Sequence, residues 1–291
     1  MNGRSGPVVL VGCGKMGGAL LAGWLARGTA GRETAVIIVE PSEAATTAFR
    51  GKPGVSVIAD ASRLAPELRP SIVVFAVKPQ AMDEVVPHYR RFAAPGTVFL
   101  SIAAGRPIGY FQRHLGKDAA IVRVMPNTPA AIGRGISVAC ANPRVGAAQR
   151  EFCGELLSAV GDVAWIKAEK LLDPVTAVSG SGPAYVFLLA ETLAEAGQKA
   201  GLPADLATRL ARATVAGSGE LLHRAAEPAS ELRRNVTSPG GTTAAALDVL
   251  MAKKIGLAGL MTRAVAAATR RSRELAGGRA INKKPRRKGK R

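Results

Sequence analysis

The sequence predicts an α/β protein: an N-terminal doubly wound sheet of the Rossmann type, followed by an all-α helical domain. Three observations lead there. Short Val/Ile-rich runs alternate with helical stretches as far as about residue 168. A glycine-rich turn, Gly12-Cys13-Gly14-Lys15-Met16-Gly17, follows the first of those runs. Beyond residue 168 the strand-like runs give way to Ala/Leu-rich segments. The expected boundaries are therefore 1–168 for the nucleotide-type domain, 169–277 for the helical domain and 278–291 for a disordered basic tail.

The apolar runs Val8–Val11, Val36–Val39, Ile72–Val77, Val98–Ile102 and Ile121–Met125 mostly do not alternate with polar residues. Strands of that kind are covered on both faces, as in a parallel sheet. Helical stretches lie between them, notably Gly17–Arg27 and Ala81–Phe92, and the βαβα order implies an open doubly wound sheet. Runs at Ile136–Ala141 and Val163–Ile166 complete it. In the second half, Ala184–Ala200, Ala204–Leu222, Thr242–Leu250 and Arg263–Leu275 read as helices, with Leu206 and Leu210 at i,i+4 spacing. Several are apolar on more than one face, which a small bundle cannot bury. The helical half is thus expected to be a dimerisation domain.

Charge and composition narrow the function. The formal net charge is +19, but residues 279–291 hold eight Lys/Arg and no acid. A terminal block of like charge reads as a disordered tail. With aromatics at 4% there is no stacking platform for bases, so nucleic-acid contact is expected only non-specifically, through the tail. The three cysteines, Cys13, Cys140 and Cys153, show no CxxC or Cys/His metal spacing, which fits a reducing cytoplasm and no metal. No run approaches the roughly 18 apolar residues of a membrane span. His88, His114 and His223 lie outside every motif and read as structural or surface residues.

The chemistry sits in turns. Gly12 to Gly17, between a strand and a helix, is placed to let a dinucleotide pyrophosphate approach the backbone. Glu40 ends the second strand, where an acid would hold the ribose 2′-hydroxyl of NADH; Ser42 could instead donate to the 2′-phosphate of NADPH, with Arg50 the nearest cation. Ala76-Val77-Lys78-Pro79, Ala103-Ala104-Gly105 and Asn127 (within Met125-Pro126-Asn127-Thr128-Pro129) follow strand ends, where ligands of such sheets lie. Two later turns are suited to anions: Ser179-Gly180-Ser181-Gly182-Pro183, and Val236-Thr237-Ser238-Pro239-Gly240-Gly241-Thr242-Thr243 at the head of a helix. Free N–H groups and the positive dipole end could hold a small carboxylate there.

Taken in order, GCGKMG, AVKPQ, SIAAG, RVMPNTPA, AVSGSGPAYVF and NVTSPGGTT resemble the pyrroline-5-carboxylate reductase family over residues 8 to about 275. The last two motifs are specific to that family. The resemblance implies reduction of 1-pyrroline-5-carboxylate to L-proline by NADPH or NADH. It also implies a homodimer interlocked through the helical domain, and dimers assembling into a decamer. Carried over, Gly12, Cys13, Gly14, Lys15, Met16 and Gly17 would hold the pyrophosphate and Ser42 the adenosine ribose end. Ala76, Val77, Lys78, Pro79, Ala103, Ala104 and Gly105 would line the nicotinamide side, with Asn127 near. Asn235, Ser238, Gly240, Gly241, Thr242 and Thr243 match the substrate turn, Thr242 and Thr243 as the catalytic hydroxyls, and Glu169 falls near the proline site. Lys15 stands where relatives commonly carry Asn or Gln, and the basic tail is not part of the family pattern. A hydroxy-acid dehydrogenase of the 6-phosphogluconate type would need a catalytic lysine in 184–200, where only Lys199, near the end, is present.

Overall fold

The computed structural model describes residues 6–29 and 34–277; the basic tail lies outside them. Eight strands form one sheet: β1 (Val8–Val11), β2 (Val36–Val39), β3 (Val55–Ile58), β4 (Ile72–Phe75), β5 (Val98–Ser101), β6 (Ala120–Met125), β7 (Gly135–Ala141) and β8 (Gly161–Ile166). Their spatial order is β3-β2-β1-β4-β5-β6-β7-β8. The first six run parallel, and the order reverses between β1 and β4, the switch point at which such sheets bind nucleotides.

Two features depart from the sequence reading. β7 runs antiparallel to β6, because the link from Met125 to Gly135 is too short for a parallel crossover, which takes a dozen residues or more. β3 was not foreseen: Val55-Ser56-Val57-Ile58 alternates and lies at the sheet edge.

Helices α1 (Lys15–Arg27), α2 (Glu43–Thr46), α3 (Met82–Val85), α4 (Ile108–Leu115), α5 (Ala147–Ser158) and α6 (Leu172–Val175) belong to this part of the chain. On one face of the sheet, Leu20, Leu21 and Trp24 of α1 pack with Phe152, Leu156 and Leu157 of α5. The Trp24 indole donates to the Leu156 carbonyl at 2.8 Å. On the other face, Phe75 of β4 meets Tyr89 edge-on at 5.3 Å and stacks near Phe99 and Phe111. The stretch expected as one helix over 81–92 is instead α3 followed by a 3₁₀ segment, Val86–Phe92. Pro87 lacks the N–H that an α-helical continuation needs.

The chain divides into two compact units, one running to Gly180 and resuming at Thr269, the other Ser181–Ala268. This division falls after the 168 boundary drawn from sequence, since Leu172 and Val175 are packed in the core of the sheet. The first unit also takes the end of the last helix, where the Ser272 hydroxyl donates to Asp173 at 2.7 Å. The second unit holds α7 (Gly182–Lys199), α8 (Ala204–Arg224), α9 (Ala229–Asn235), α10 (Thr242–Leu250) and most of α11 (Leu257–Ala276). α7 and α8 meet through small residues: a Cβ on Gly197 would lie 3.4 Å from that of Ala207. Among the described residues the unit's buried hydrophobic side chains are three alanines, Ala194, Ala207 and Ala211.

Candidate active site

The glycine turn after β1 is shaped for close backbone approach. Gly12 has φ +92°, and a Cβ there would lie 2.8 Å from Val77 Cγ1 and 2.9 Å from the Val77 nitrogen. Gly17 packs directly on the Gly12 carbonyl, bringing α1 against the turn. Gly14 is different: a Cβ there would meet nothing within 4 Å. It caps α1 without a side-chain hydrogen bond, and the first turn carries no acid. Unpaired N–H groups, the positive dipole end and open space make this a fitting cradle for a pyrophosphate. Lys15 is exposed at the helix start.

Glu40 does more than mark the ribose position. Its two carboxylate oxygens accept from the Cys13 N–H at 2.8 Å and the Ser42 N–H at 2.9 Å. It therefore ties the glycine turn to the turn after β2. Ser42 caps α2 without a side-chain bond, and Arg50 is drawn to Glu43 at 3.7 Å. Burial first, and then the Glu40 charge, push the Cys13 thiol up to about 11. Burial likewise holds Cys153 at about 12 and raises Cys140. All three cysteines are buried and free. With their thiols protonated near neutral pH, none is set up as a nucleophile.

The turns after β4 and β5 share a brace that sequence reading missed. Arg106 donates to the Pro79 carbonyl from Nε at 3.1 Å and from a terminal nitrogen at 2.9 Å, and to Asp83 at 2.8 Å. Its guanidinium lies 4.7 Å from the Tyr110 ring centroid. One side chain thus fixes Ala76–Pro79 and Ala103–Gly105 relative to each other. The only sequence signal was its place just after the SIAAG turn. Ala103 is buried and its N–H bonds Ser101 Oγ at 3.2 Å. Gly105 was expected to be small to admit a ring. It is in the left-handed region at φ +72°, and its Cβ would sit 3.3 Å from Leu275 Cβ. The Lys78 side chain is exposed.

Two predicted contacts have structural partners. Asn127 Oδ1 accepts from the Ile136 N–H at 2.9 Å, holding the reversal into β7. Glu169 Oε1 accepts from the Ile108 N–H at 2.7 Å, at the head of α4, and from buried Arg123 at 2.9 Å. Its charge is thereby paired within the first unit.

In the second unit, Asn235 ends α9 and the chain turns through Val236–Gly241 into α10. The Thr237 hydroxyl donates to the Arg233 carbonyl at 2.6 Å. Gly240 has φ +68°, which favours glycine, and open space around its Cβ position. At Gly241 a Cβ would overlap Ser238 Oγ. Gly241 caps α10 with no side-chain bond and no acid in the first turn. The Gly241 N–H closes the turn onto the Ser238 carbonyl at 3.1 Å; the first N–H groups of α10 itself, at Thr242 and Thr243, lack intrahelical partners and suit an anion, with the two threonine hydroxyls beside them. Among the described residues, no three His, Cys, Asp or Glu side chains come together to hold a metal ion.

Comparison with known proteins adds a family to this geometry. Residues 169–275 match the family described as pyrroline-5-carboxylate reductase dimerisation, and residues 7–105 that described as NADP oxidoreductase, coenzyme F420-dependent. The chain is 40% identical over 270 residues to the pyrroline-5-carboxylate reductase of Pseudomonas aeruginosa, covering 92% of this chain and 96% of that protein. It is 40% identical over 266 residues to the Synechocystis protein of that name, covering 91% and 97%. Among solved structures, a pyrroline-5-carboxylate reductase from Coxiella burnetii superposes with a TM-score of 0.85 at 32% identity, covering 94% of this chain and 99% of that one. The Plasmodium falciparum pyrroline carboxylate reductase with NADP bound gives 0.75 at 30% identity, with coverage of 94% and 99%.

Proposed function

Since this chain belongs to the pyrroline-5-carboxylate reductase family, we propose that its two units divide the work: the sheet-bearing unit holds the cofactor, and the turn before α10 holds the substrate. The protein is an NAD(P)H-dependent oxidoreductase that reduces 1-pyrroline-5-carboxylate to L-proline, the last step of proline biosynthesis.

The substrate is a cyclic imine carrying a carboxylate. Its protonated C=N is electrophilic without a metal or a strong general acid. Bound NAD(P)H supplies the hydride. The protein must orient both partners, worth roughly 7–11 kcal/mol when alignment is good. The amides of Gly240, Thr242 and Thr243 grip the carboxylate, while the Gly241 N–H, bonded to the Ser238 carbonyl, holds the turn in shape and Ser238 and Asn235 close it around the ligand. The hydroxyl of Thr243, or its neighbour Thr242, bonds the ring nitrogen and holds its proton in place. The observation that carries this reading is the uncapped, acid-free start of α10. Glu169 Oε1 braces α4 and β6 through Ile108 and Arg123, and the carboxylate is read as lying near the proline site.

On cofactor choice, Glu40 favours NADH. Two backbone N–H groups hold its carboxylate at the end of β2, where it accepts from a 2′-hydroxyl and repels a 2′-phosphate. The P. falciparum structure carries NADP, so the preference here rests on Glu40.

Assembly is read as a homodimer through the second unit, with dimers joining into a decamer. A cytoplasmic location agrees with three unpaired cysteines. No helix among the described residues is long and apolar enough to cross a membrane. The test is an initial-rate assay of pyrroline-5-carboxylate with NADH and NADPH side by side. Turnover with both and a higher kcat/KM for NADH are expected. Absence of turnover with either removes the activity, and a strong NADPH preference removes the role given to Glu40.

A further inference from the structure

The turns after β4 and β5 are neighbours at the carboxyl edge of the sheet, because the two strands pair in parallel. The β4 turn is fixed differently at its two ends. At Val77 it lies against the glycine turn, where a Cβ on Gly12 would come 2.9 Å from the Val77 nitrogen. At Pro79 it is held by the Arg106 side chain. The Pro79 carbonyl accepts from Arg106 Nε at 3.1 Å and from a terminal nitrogen at 2.9 Å, and that nitrogen also donates to Asp83 at 2.8 Å.

The Pro79 carbonyl already accepts from the Met82 N–H, so the arginine is not there to satisfy a bare acceptor. Nor is it a solvated surface cation, since 26% of its side chain is exposed and its guanidinium lies over the Tyr110 ring. What the two parallel bonds add is a fixed position for Pro79 relative to the β5 turn. That second turn is confined too, because Gly105, next to Arg106, packs on Leu275 of α11.

We propose that Arg106 is a positioning residue for hydride transfer. Its planar fork sets the separation of the β4 and β5 turns, and that separation fixes the nicotinamide ring against them. The fork is specific to arginine: a lysine keeps the charge but cannot donate in parallel from a rigid plane or stack on the ring in the same way. Releasing Pro79 leaves the Val77 end seated on the glycine turn, so the loss should fall on the nicotinamide and spare the pyrophosphate. The proposal rests on the reading of these turns as the nicotinamide wall and of Gly12–Gly17 as the pyrophosphate site.

The test is Arg106→Lys, with steady-state kinetics and calorimetric titration of ADP-ribose, which keeps the pyrophosphate and adenosine but lacks the nicotinamide. The kcat with NADH should fall about tenfold, short of the roughly 100-fold that a misplacement of about 1 Å can cost. The KM for pyrroline-5-carboxylate should hardly move, and the ADP-ribose dissociation constant should stay unchanged, which also shows that the variant is folded. Full activity in Arg106→Lys assigns the residue's role to its charge alone and overturns the proposal. A weakened ADP-ribose constant overturns it as well, since the damage then extends to the whole cofactor site. So does a raised KM for pyrroline-5-carboxylate at unchanged kcat, which points to the substrate. Should Arg106→Lys fail to fold, Asp83→Ala decides, because it keeps both Pro79 bonds and removes only the exposed ion pair. There kcat should drop about twofold, as suits an exposed pair, and an unchanged kcat overturns the proposal. Failure of the wild-type protein to bind ADP-ribose would instead remove the pyrophosphate reading, and the proposal with it.

Discussion

The two units bury their apolar side chains to very different degrees. The sheet-bearing unit covers both faces of its strands, with Trp24, Phe75, Tyr89, Phe92, Phe99 and Phe111 all essentially inaccessible. In the second unit, by contrast, the buried hydrophobic side chains among the described residues are alanines. Of the twenty-one exposed large hydrophobic residues in the described chain, seventeen belong to it, including Phe187, Leu188, Leu189, Val249 and Ile255. Fully burying a side chain of that size is worth about 1.5–3 kcal/mol. A surface so rich in them is the mark of an interaction site. The contrast teaches that the nucleotide half carries its own core, while the helical half, which matches a dimerisation family, leaves an apolar surface that the proposed dimer would cover. The proposed substrate turn lies on the unit with the uncovered apolar surface, so the proposed dimer predicts that activity follows assembly.

The sharpest way to break this contrast is Phe187→Glu. An unpaired carboxylate in the proposed interface should cost roughly 3–5 kcal/mol of association free energy. Light scattering should show monomers, and kcat should fall with the mass, while NADH still binds. An unchanged mass would mean that the apolar face of α7 is not the interface. Thr243→Val separates the units by function. Its kcat should drop about 100-fold, in the range of a lost proton-holding group, with the NADH dissociation constant intact; full turnover would remove Thr243 from the chemistry.

Glu40→Gln sharpens the cofactor side. Removing the charge should move the NADH-to-NADPH ratio of kcat/KM toward NADPH by about 1 kcal/mol, roughly fivefold, as suits a partly exposed charge. The thiols give the smallest effect. With the Cys13 thiol raised from 9.0 to about 11, its thiolate fraction at pH 8 is about 100-fold below that of an ordinary thiol. Native protein should therefore resist alkylation at that pH and react once unfolded. The sign follows for stability as well: the folded form holds the proton more tightly, so this contribution is fully present below pH 9.0 and is lost as pH rises toward about 11. Rapid native-state alkylation of Cys13 would contradict its burial.

Much of the fold was legible because its signals are local. β1, β2, β4, β5 and β6 are continuous apolar runs, and the glycine turns mark themselves. What escaped is non-local or ambiguous in one dimension. An apolar run has no direction, so the reversal of β7 could not be read; Val55–Ile58 alternates because it is an edge strand. At the site, the turns were visible but their braces were not. Arg106 reaches Pro79, and Glu169 reaches Ile108, only once the chain has folded. Glu40 drew attention as a ribose ligand, yet its bond to the Cys13 N–H depends on β1 and β2 lying side by side. Ser179 was seen only as part of an anion-friendly turn; that its buried hydroxyl lacks a hydrogen-bond partner among the described residues is visible only in three dimensions.

The most direct single measurement is a crystal structure of the protein with L-proline and NAD⁺ bound. The proline carboxylate is expected on the backbone amides of Gly240, Thr242 and Thr243, with a threonine hydroxyl at the ring nitrogen. A carboxylate held instead at Arg123 and Glu169, or anywhere away from the head of α10, would contradict the division of labour between the two units.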